Sequence, residues 1–342
     1  MKRIVLTGGG TAGHVTPNIA LLPELKKRGW DIHYIGTQSG IEHKLITEIP
    51  YVTYHSVQSG KLRRYADIKN LTDPFRVLAG IGQSMNRIRK LKPQIIFSKG
   101  GFVSVPVVLG GWINRIPVIV HESDITPGLA NQIATRFAKT VCTTFPETVQ
   151  YFREGKAIHT GTPIRQELFL GNPERGRKLC GFSGQKPTIL VMGGSQGAVA
   201  INKAIRALLS RLTRRFQVVH ICGKGNFDTV LDNHPDYRQF EYVSEELPDI
   251  LAMTDLALKK PALLIPLPLS SSRGDQIANA KSFQKQGFSR MLEQENMTED
   301  TLYDHIVDLH LNRDKYIRAM TENNSTDSIE IIMQQIDSLA KK

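Results

Sequence analysis

Short β-branched runs alternate with helical patterns through the first half of the chain. Arg3–Leu6, Ile32–Ile35, Ile95–Ser98 and Val118–His121 read as strands, and Ile19–Arg28, Leu71–Lys92, Val105–Asn114 and Leu129–Phe137 as helices. Strict alternation leaves few architectures open, because right-handed βαβ units build a parallel sheet covered by helices on both faces. A second series begins at Thr188–Met192, passes through a helical Ala200–Leu212 and a strand Gln217–Cys222, and reaches a strand at Ala262–Leu267. The chain has 342 residues, too many for one ordinary core. The expectation is α/β, with two doubly wound domains of parallel sheet. The turn-rich Gly161-Thr-Pro163 suits a hinge between them, giving domains over 1–163 and 164–325.

One stretch breaks the pattern. After a helical Leu247–Met253, Thr254-Asp-Leu256 should open a strand, yet Ala257-Leu-Lys-Lys-Pro261 leads straight into the strand at Ala262. Parallel neighbours need a connection of about a dozen residues or more. Either Asp255–Leu258 is merely a loop, or a βα segment is missing between about Leu256 and Leu258; the second reading is favoured. A Cα–Cα separation of about 3.8 Å at every step from Asp255 to Lys259 would show a continuous chain there.

Lys and Arg outnumber Asp and Glu by 44 to 32, and the net charge of +12 favours phosphates, nucleic acid or an acidic lipid surface. Cys142, Cys180 and Cys222 form no C-x-x-C pair, which fits reduced thiols and gives no structural zinc site. The apolar start ends at Leu6, short of a signal-peptide core, and the weakly polar Gly101–Ile113 is too short to cross a bilayer. Membrane contact is therefore expected to be peripheral.

Three glycine turns follow strands. The first, Ile4-Val-Leu-Thr-Gly8-Gly-Gly-Thr-Ala-Gly13-His14, contains G-x-G-x-x-G at Gly8, Gly10 and Gly13. Glycine lets backbone approach an anionic ligand, whose charge the free amides at a helix start can meet. A dinucleotide fold would place an acidic residue at the end of the second strand, but His33-Tyr-Ile-Gly-Thr37 has none. The others are Ser98-Lys-Gly100-Gly-Phe-Val-Ser-Val-Pro106 and Gly193-Gly-Ser195-Gln-Gly197. Any one could be only a tight turn. Placed together at strand ends in two domains, they describe a phosphate-binding crevice. No G-x-x-x-x-G-K-[ST] occurs, which disfavours a P-loop nucleoside triphosphatase.

Gly8-Gly-Gly-Thr-Ala-Gly-His-Val-Thr-Pro17, Gly100-Gly-Phe-Val-Ser-Val-Pro106, His121-Glu-Ser-Asp124, Gly161-Thr-Pro-Ile-Arg165, Gly193-Gly-Ser-Gln-Gly197 and Asp275-Gln-Ile-Ala-Asn-Ala280 occur in this order. In order and spacing they resemble the MurG family, the UDP-N-acetylglucosamine:muramyl-pentapeptide-pyrophosphoryl-undecaprenol transferases, over nearly the whole chain. The resemblance implies a GT-B fold of two Rossmann-like domains facing a cleft, with the acceptor and membrane on the N-terminal one and UDP-N-acetylglucosamine mainly on the C-terminal one. It also implies a final helix, about 326–342, that packs back on the first domain. Thr11, Ala12 and Gly13 would touch the donor, Ser195 its phosphate, Arg165 its diphosphate or nucleoside, and Gln276 hydroxyls of the transferred sugar. Where this chain jumps past Leu256, the family has a strand, a glycine turn and a helix bearing a ribose-binding Glu, so no ribose carboxylate can be named.

The resemblance implies a single inverting displacement by the acceptor's 4-hydroxyl, which needs a base and stabilisation of departing UDP. His14, directly after the first glycine turn, is the leading candidate for base or diphosphate orienter; a histidine there can also merely cap or pack. Glu122, ending a strand at the same edge, is second, with a structural role as its alternative. No D-x-D pair is present, so no obligatory metal and no cofactor are expected. The stretch from Lys61 to Lys92 holds nine Lys/Arg, and Leu71, Phe75, Leu78, Ile81, Met85 and Ile88 recur at helical spacing. Such a stripe can be core, but its basic rim, with Trp112, also suits an anionic membrane at the cytoplasmic face. Another GT-B transferase acting on a lipid or natural product is the alternative. Nucleic acid is disfavoured, with 7% aromatics and no RNP-like strand.

Overall fold

The computed structural model describes residues 2–60, 69–194, 198–232, 234–256, 260–323 and 327–340. The chain divides into two compact units, Met1–Arg165 with Thr326–Lys342, and Gln166–Ser325.

In unit 1 the elements run β1 (Lys2–Thr7), α1 (Thr16–Lys27), β2 (Trp30–Gly36), α2 (Ile41–Thr47), β3 (Val52–Ser56), α3 (Lys69–Leu91), β4 (Ile95–Ser98), α4 (Ser104–Ile113), β5 (Val118–Glu122), α5 (Leu129–Phe137), β6 (Thr140–Thr143) and β7 (Ala157–His159). All seven strands are parallel, in the order β3-β2-β1-β4-β5-β6-β7. The side-chain period of two explains the continuous apolar runs. Ile4, Leu6, Ile95, Phe97 and Ile119 point into one core, while Val5, Ile96, Val118 and Val120 point into the other. Both faces are buried, so neither residue set can be polar. The sequence misses α2 and β3, whose short runs carry His43, Lys44, His55 and other polar side chains among few apolar ones.

In unit 2 follow α6 (Pro173–Cys180), β8 (Thr188–Met192), α7 (Val199–Ala207), α8 (Leu209–Leu212), β9 (Gln217–Ile221), β10 (Tyr237–Phe240), α9 (Leu247–Met253), β11 (Ala262–Leu264), α10 (Asp275–Lys285), β12 (Ser289–Met291), α11 (Glu299–Leu311) and α12 (Arg313–Asn323). The expected helix Ala200–Leu212 is two helices separated at Leu208. The expected strand Ala262–Leu267 ends at Leu264.

The unit 2 sheet is also split. Parallel strands β10-β9-β8 form one piece and β11-β12 another. Asp255 donates its amide to Thr188 O at 2.7 Å and Leu256 makes one parallel bridge to Ile189, so a strand does start beside β8. Among the described residues it goes no further, and β11 pairs only with β12. Met192, at the carboxyl end of β8, which the split leaves as an edge strand, is 56% exposed. The step from Asp255 to Lys259 lies partly outside the described residues.

The last helix, α13 (Ser328–Ala340), belongs to unit 1. Ile329, Ile332, Met333 and Ile336 recur at helical spacing and are buried in the core that also holds Leu21, Leu22 and Leu25 of α1. Burying four such side chains is worth roughly 1.5–3 kcal/mol each. Arg28 fixes the register, reaching Glu330 at 2.5 Å and Asp337 at 2.7 Å.

Candidate functional site

Strand order reverses direction between β1 and β4, the switch point outside whose carboxyl ends open parallel sheets place their ligands. The first two glycine turns leave the sheet at this point, after Thr7 and after Ser98. They touch. Gly101 has φ +81°, and a β-carbon there would lie 2.3 Å from Gly9 O and 3.2 Å from His14 Nδ1. Only glycine permits that approach.

Thr11 opens a single helical turn, Ala12–His14, that leads into α1. Thr11 and Gly13 are exposed and Ala12 and His14 half-buried. His14 N bonds Thr11 O and Val15 N bonds Ala12 O, whereas the amides of Ala12 and Gly13 have no backbone acceptor among the described residues. Amides left unbonded at a helix start are donors of the kind that suit an anion. Behind them, Tyr34 donates to Gly8 O at 2.6 Å, and Asn18 of α1 donates to both Tyr34 and Thr7 O.

His14 Nδ1 lies 3.0 Å from Thr11 Oγ1, and the ring also bonds the Gly9 backbone. Burial, then the Lys99 ammonium, push its pKa down to about 4, while Asp124 and Gly9 pull it up. The imidazole is neutral at pH 7. In the tautomer whose Nδ1–H donates to Thr11 Oγ1, Nε2 keeps a lone pair able to accept a proton.

Lys99, within the second glycine motif but given no role by the sequence, is 1% exposed. Its ammonium bonds Ser123 Oγ, and burial lowers its pKa to about 8 against the pull of Glu122 and Asp124. Glu122 is 3% exposed and both of its oxygens are engaged. Oε1 accepts the amides of Ser123 (2.7 Å) and Asp124 (3.0 Å), and Oε2 those of Gly128 (3.2 Å) and the Asn131 side chain (2.9 Å). Burial raises its pKa, and these donors oppose the rise. Such a carboxylate shapes the loop after β5. His121 next to it is buried, with Nε2 on Gly161 O at 2.9 Å.

Sequence reasoning missed Glu42. It lies on α2, fully buried, and accepts the amides of Gly10 and Thr37, each at 3.1 Å. A β-carbon on Gly9 would sit 2.5 Å from its carboxyl carbon, so glycine there makes room for the carboxylate. No periodic or motif signal marks a lone Glu in a polar helix.

The other candidates divide between the units. Arg165, half-exposed, ends unit 1 and makes no hydrogen bond or ion pair among the described residues. In unit 2, Gln276 is exposed on the first turn of α10, and its Oε1 accepts Leu267 N at 3.1 Å. Its NH2 group is thereby turned outward as a donor. Ser195, in the third glycine turn, lies outside the described residues. Among the described residues, no group of three or more His, Cys, Asp or Glu could hold a metal ion.

The predicted apolar stripe of α3 divides into two faces. Gly80, Ser84 and Ile88 are buried, and Gly110 of α4 lies close to the α3 backbone at Met85. Ile81 is half-buried, while Phe75, Leu78 and Met85 are exposed, as are Trp112 and Ile113 at the end of α4. The Leu71 side chain and residues 61–68 lie outside the described residues. No described helix is long and apolar enough to cross a membrane.

The sequence matches the glycosyltransferase family 28 N-terminal domain over residues 4–143, and the family's C-terminal domain over 188–258 and again over 252–336. It is 52% identical to the UDP-N-acetylglucosamine--N-acetylmuramyl-(pentapeptide) pyrophosphoryl-undecaprenol N-acetylglucosamine transferase of Geobacillus thermodenitrificans, covering 99% of each chain. It is 54% identical to the protein of the same name from Lachnospira eligens, covering 100% of each. That alignment runs over 355 residues, 13 more than the 342 of this chain, and the C-terminal match restarts at the place where the unit 2 sheet is split. Of solved structures, Acinetobacter baumannii MurG superposes with a TM-score of 0.77 at 22% identity, over 99% of this chain and 100% of that one. The α/β, GT-B class expected from the sequence is the fold these structures share.

Proposed function

The chain belongs to glycosyltransferase family 28, among the transferases that move N-acetylglucosamine from UDP onto the lipid-linked muramyl pentapeptide, and from that premise we propose how its residues divide the work. The reaction converts lipid I to lipid II. His14 Nε2 takes the proton of the acceptor's 4-hydroxyl as that oxygen attacks the anomeric carbon with inversion and UDP departs. The amides of Ala12 and Gly13, with Thr11, stabilise donor negative charge, and Arg165 adds a cation for the diphosphate or nucleoside. In unit 2, Ser195 holds a donor phosphate and Gln276 donates its NH2 to a sugar hydroxyl. Glu122 acts on the reaction by holding the 123–128 loop. No obligatory metal is required, because amides and cations meet the leaving-group charge.

The observation that carries this reading is the neutral, half-buried His14 at the β1/β4 switch point, its ring held from the Nδ1 side and unbonded amides beside it. The test is transfer of labelled N-acetylglucosamine from the UDP-sugar to a muramyl-pentapeptide lipid in the presence of a chelator. Lipid II should form. Labelling of a sterol or antibiotic acceptor in its place would defeat the reading.

We further propose that unit 1 rests peripherally on the anionic cytoplasmic face of the membrane through Phe75, Leu78, Met85 and Trp112, with Arg76 and Arg89 as the basic rim. Apolar side chains exposed beside cations on one helix suit an acidic lipid surface. Binding to vesicles should rise with anionic lipid content and fall in Phe75→Ser/Leu78→Ser. Binding indifferent to both would remove the surface from the proposal.

A further inference from the structure

A cavity of about 450 Å³ opens in unit 1 at the carboxyl end of β3, against the second half of α3. It falls in the size range of small-ligand sites. Gln38, Gln58, Gln83, Asn86, Arg87 and Lys90 line it, and no carboxylate does among the described residues. Arg87 and Lys90 are three residues apart on the helix and so share a face. Neither is paired with a carboxylate among the described residues.

The glutamines have a fixed sense. Ser56 Oγ donates to Gln38 Oε1 at 2.5 Å, and the Gln58 amide donates to Gln83 Oε1 at 2.7 Å. With both carbonyls occupied, the two NH2 groups are left to donate outward. Two side-chain amides and two cations thus offer donors, and the complementary ligand is rich in acceptors and carries negative charge.

Short connections tie both walls to the candidate site. Gln38 follows Thr37, whose amide bonds the Glu42 carboxylate that also holds Gly10. Gln58 precedes Ser59, whose hydroxyl donates to Phe102 O at 3.1 Å, and a β-carbon on Gly10 would lie 2.5 Å from the Phe102 ring. The walls of the cavity are therefore held to the same turns that carry His14.

We propose that this cavity holds the peptide of the muramyl acceptor, with a peptide carboxylate on Arg87 and Lys90 and backbone carbonyls on the Gln38 and Gln83 amides. The proposal rests on the transferase reading above, and a linear peptide supplies the required chemistry: carbonyl acceptors at each residue and a terminal carboxylate. Charge-assisted bonds to that carboxylate select the acid over its amide.

The experiment titrates the full chain with a soluble muramyl pentapeptide lacking pyrophosphate and lipid, as free acid and as C-terminal amide, without vesicles. The same is done with Arg87→Ala/Lys90→Ala and with Arg87→Glu/Lys90→Glu. The wild type should bind the acid more tightly than the amide, and both variants should lose the preference. In turnover, the alanine pair should raise KM for the pentapeptide lipid about tenfold with little change in kcat, and leave KM for a muramyl lipid without peptide unchanged. Equal losses on both lipids, or none on either, would overturn the assignment, as would a wild type that ignores the soluble peptide. A wild type that binds the acid selectively but transfers to no muramyl lipid would leave the cavity standing and fell the transferase reading alone.

Discussion

The Glu42 carboxylate accepts the Gly10 amide at 3.1 Å from inside a site with no exposure to solvent. Gly10 lies one residue before Thr11, so the helix that carries Glu42 also fixes where the turn leading to His14 begins. Hydrogen bonds to a charged group are worth ~1.5–3 kcal/mol, and leaving buried donors unmatched costs ~1–3 kcal/mol each. Glu42→Ala should therefore cost about 3 kcal/mol in urea unfolding and lower kcat/KM, with Glu42→Gln intermediate. An alanine variant as stable and active as the parent would assign the carboxylate no part in holding the turn.

In the proposed mechanism, removing the His14 ring removes the base. His14→Ala should lower kcat by about 10²–10⁴-fold while donor binding changes little. Its folded pKa, near 4, lies below the ordinary 6.5 of a histidine, so the unfolded chain binds the proton more readily between those values. This contribution to stability is complete above pH 6.5 and is lost as pH falls toward about 4. Urea unfolding of His14→Gln should show a shallower loss across that window than the parent. Identical slopes would mean that the ring does not feel its surroundings.

Lys99 is the nearest electrostatic cause of that depression after burial itself. Lys99→Met keeps the bulk of the side chain and removes the cation. The His14 ring resonance should then titrate at a higher pH than in the parent, and the acid limb of the pH–rate profile should move up with it. Unchanged titration would show that burial alone sets the ring.

Most of unit 1 could be read from residues alone, because its central strands are buried on both faces and so are dominated by apolar residues, with polar ones such as Ser98, His121 and Glu122 gathered at their carboxyl ends. Ile95–Ser98 and Leu129–Phe137 have the bounds expected of them. Legibility fails where tertiary contacts replace pattern. β3 carries Thr53, His55 and Ser56, and its strand character comes from pairing with β2. The glycine turns and His14 were visible because φ freedom and close approach demand a particular residue type. Glu42 and Lys99 were not, since each acts through what surrounds it: Lys99 sits beside a glycine motif whose glycines carry the signal, and Glu42 is one carboxylate among several. The broken βα alternation after Leu256 was legible, and the split of the unit 2 sheet falls at the same point.

That split yields the last prediction. Thr188 and Ile189 engage Asp255 and Leu256, but Leu190–Met192 gain no strand on that side among the described residues, and Met192 stays exposed. The Lachnospira eligens alignment is longer than this chain by 13 residues, and the family match restarts in the same region. Inserting a strand-forming segment followed by a crossover after Leu256 should extend the strand along β8, cover Met192 and join β11 to the sheet. Burying one such side chain returns ~1.5–3 kcal/mol, and a paired inner strand adds further. Tm should rise by several degrees, and KM for UDP-N-acetylglucosamine should fall while KM for the lipid acceptor stays put, because only unit 2 has been repaired. An insertion that destabilises the chain, or shifts both KM values together, would show that the unit folds around the shorter connection and needs no further strand.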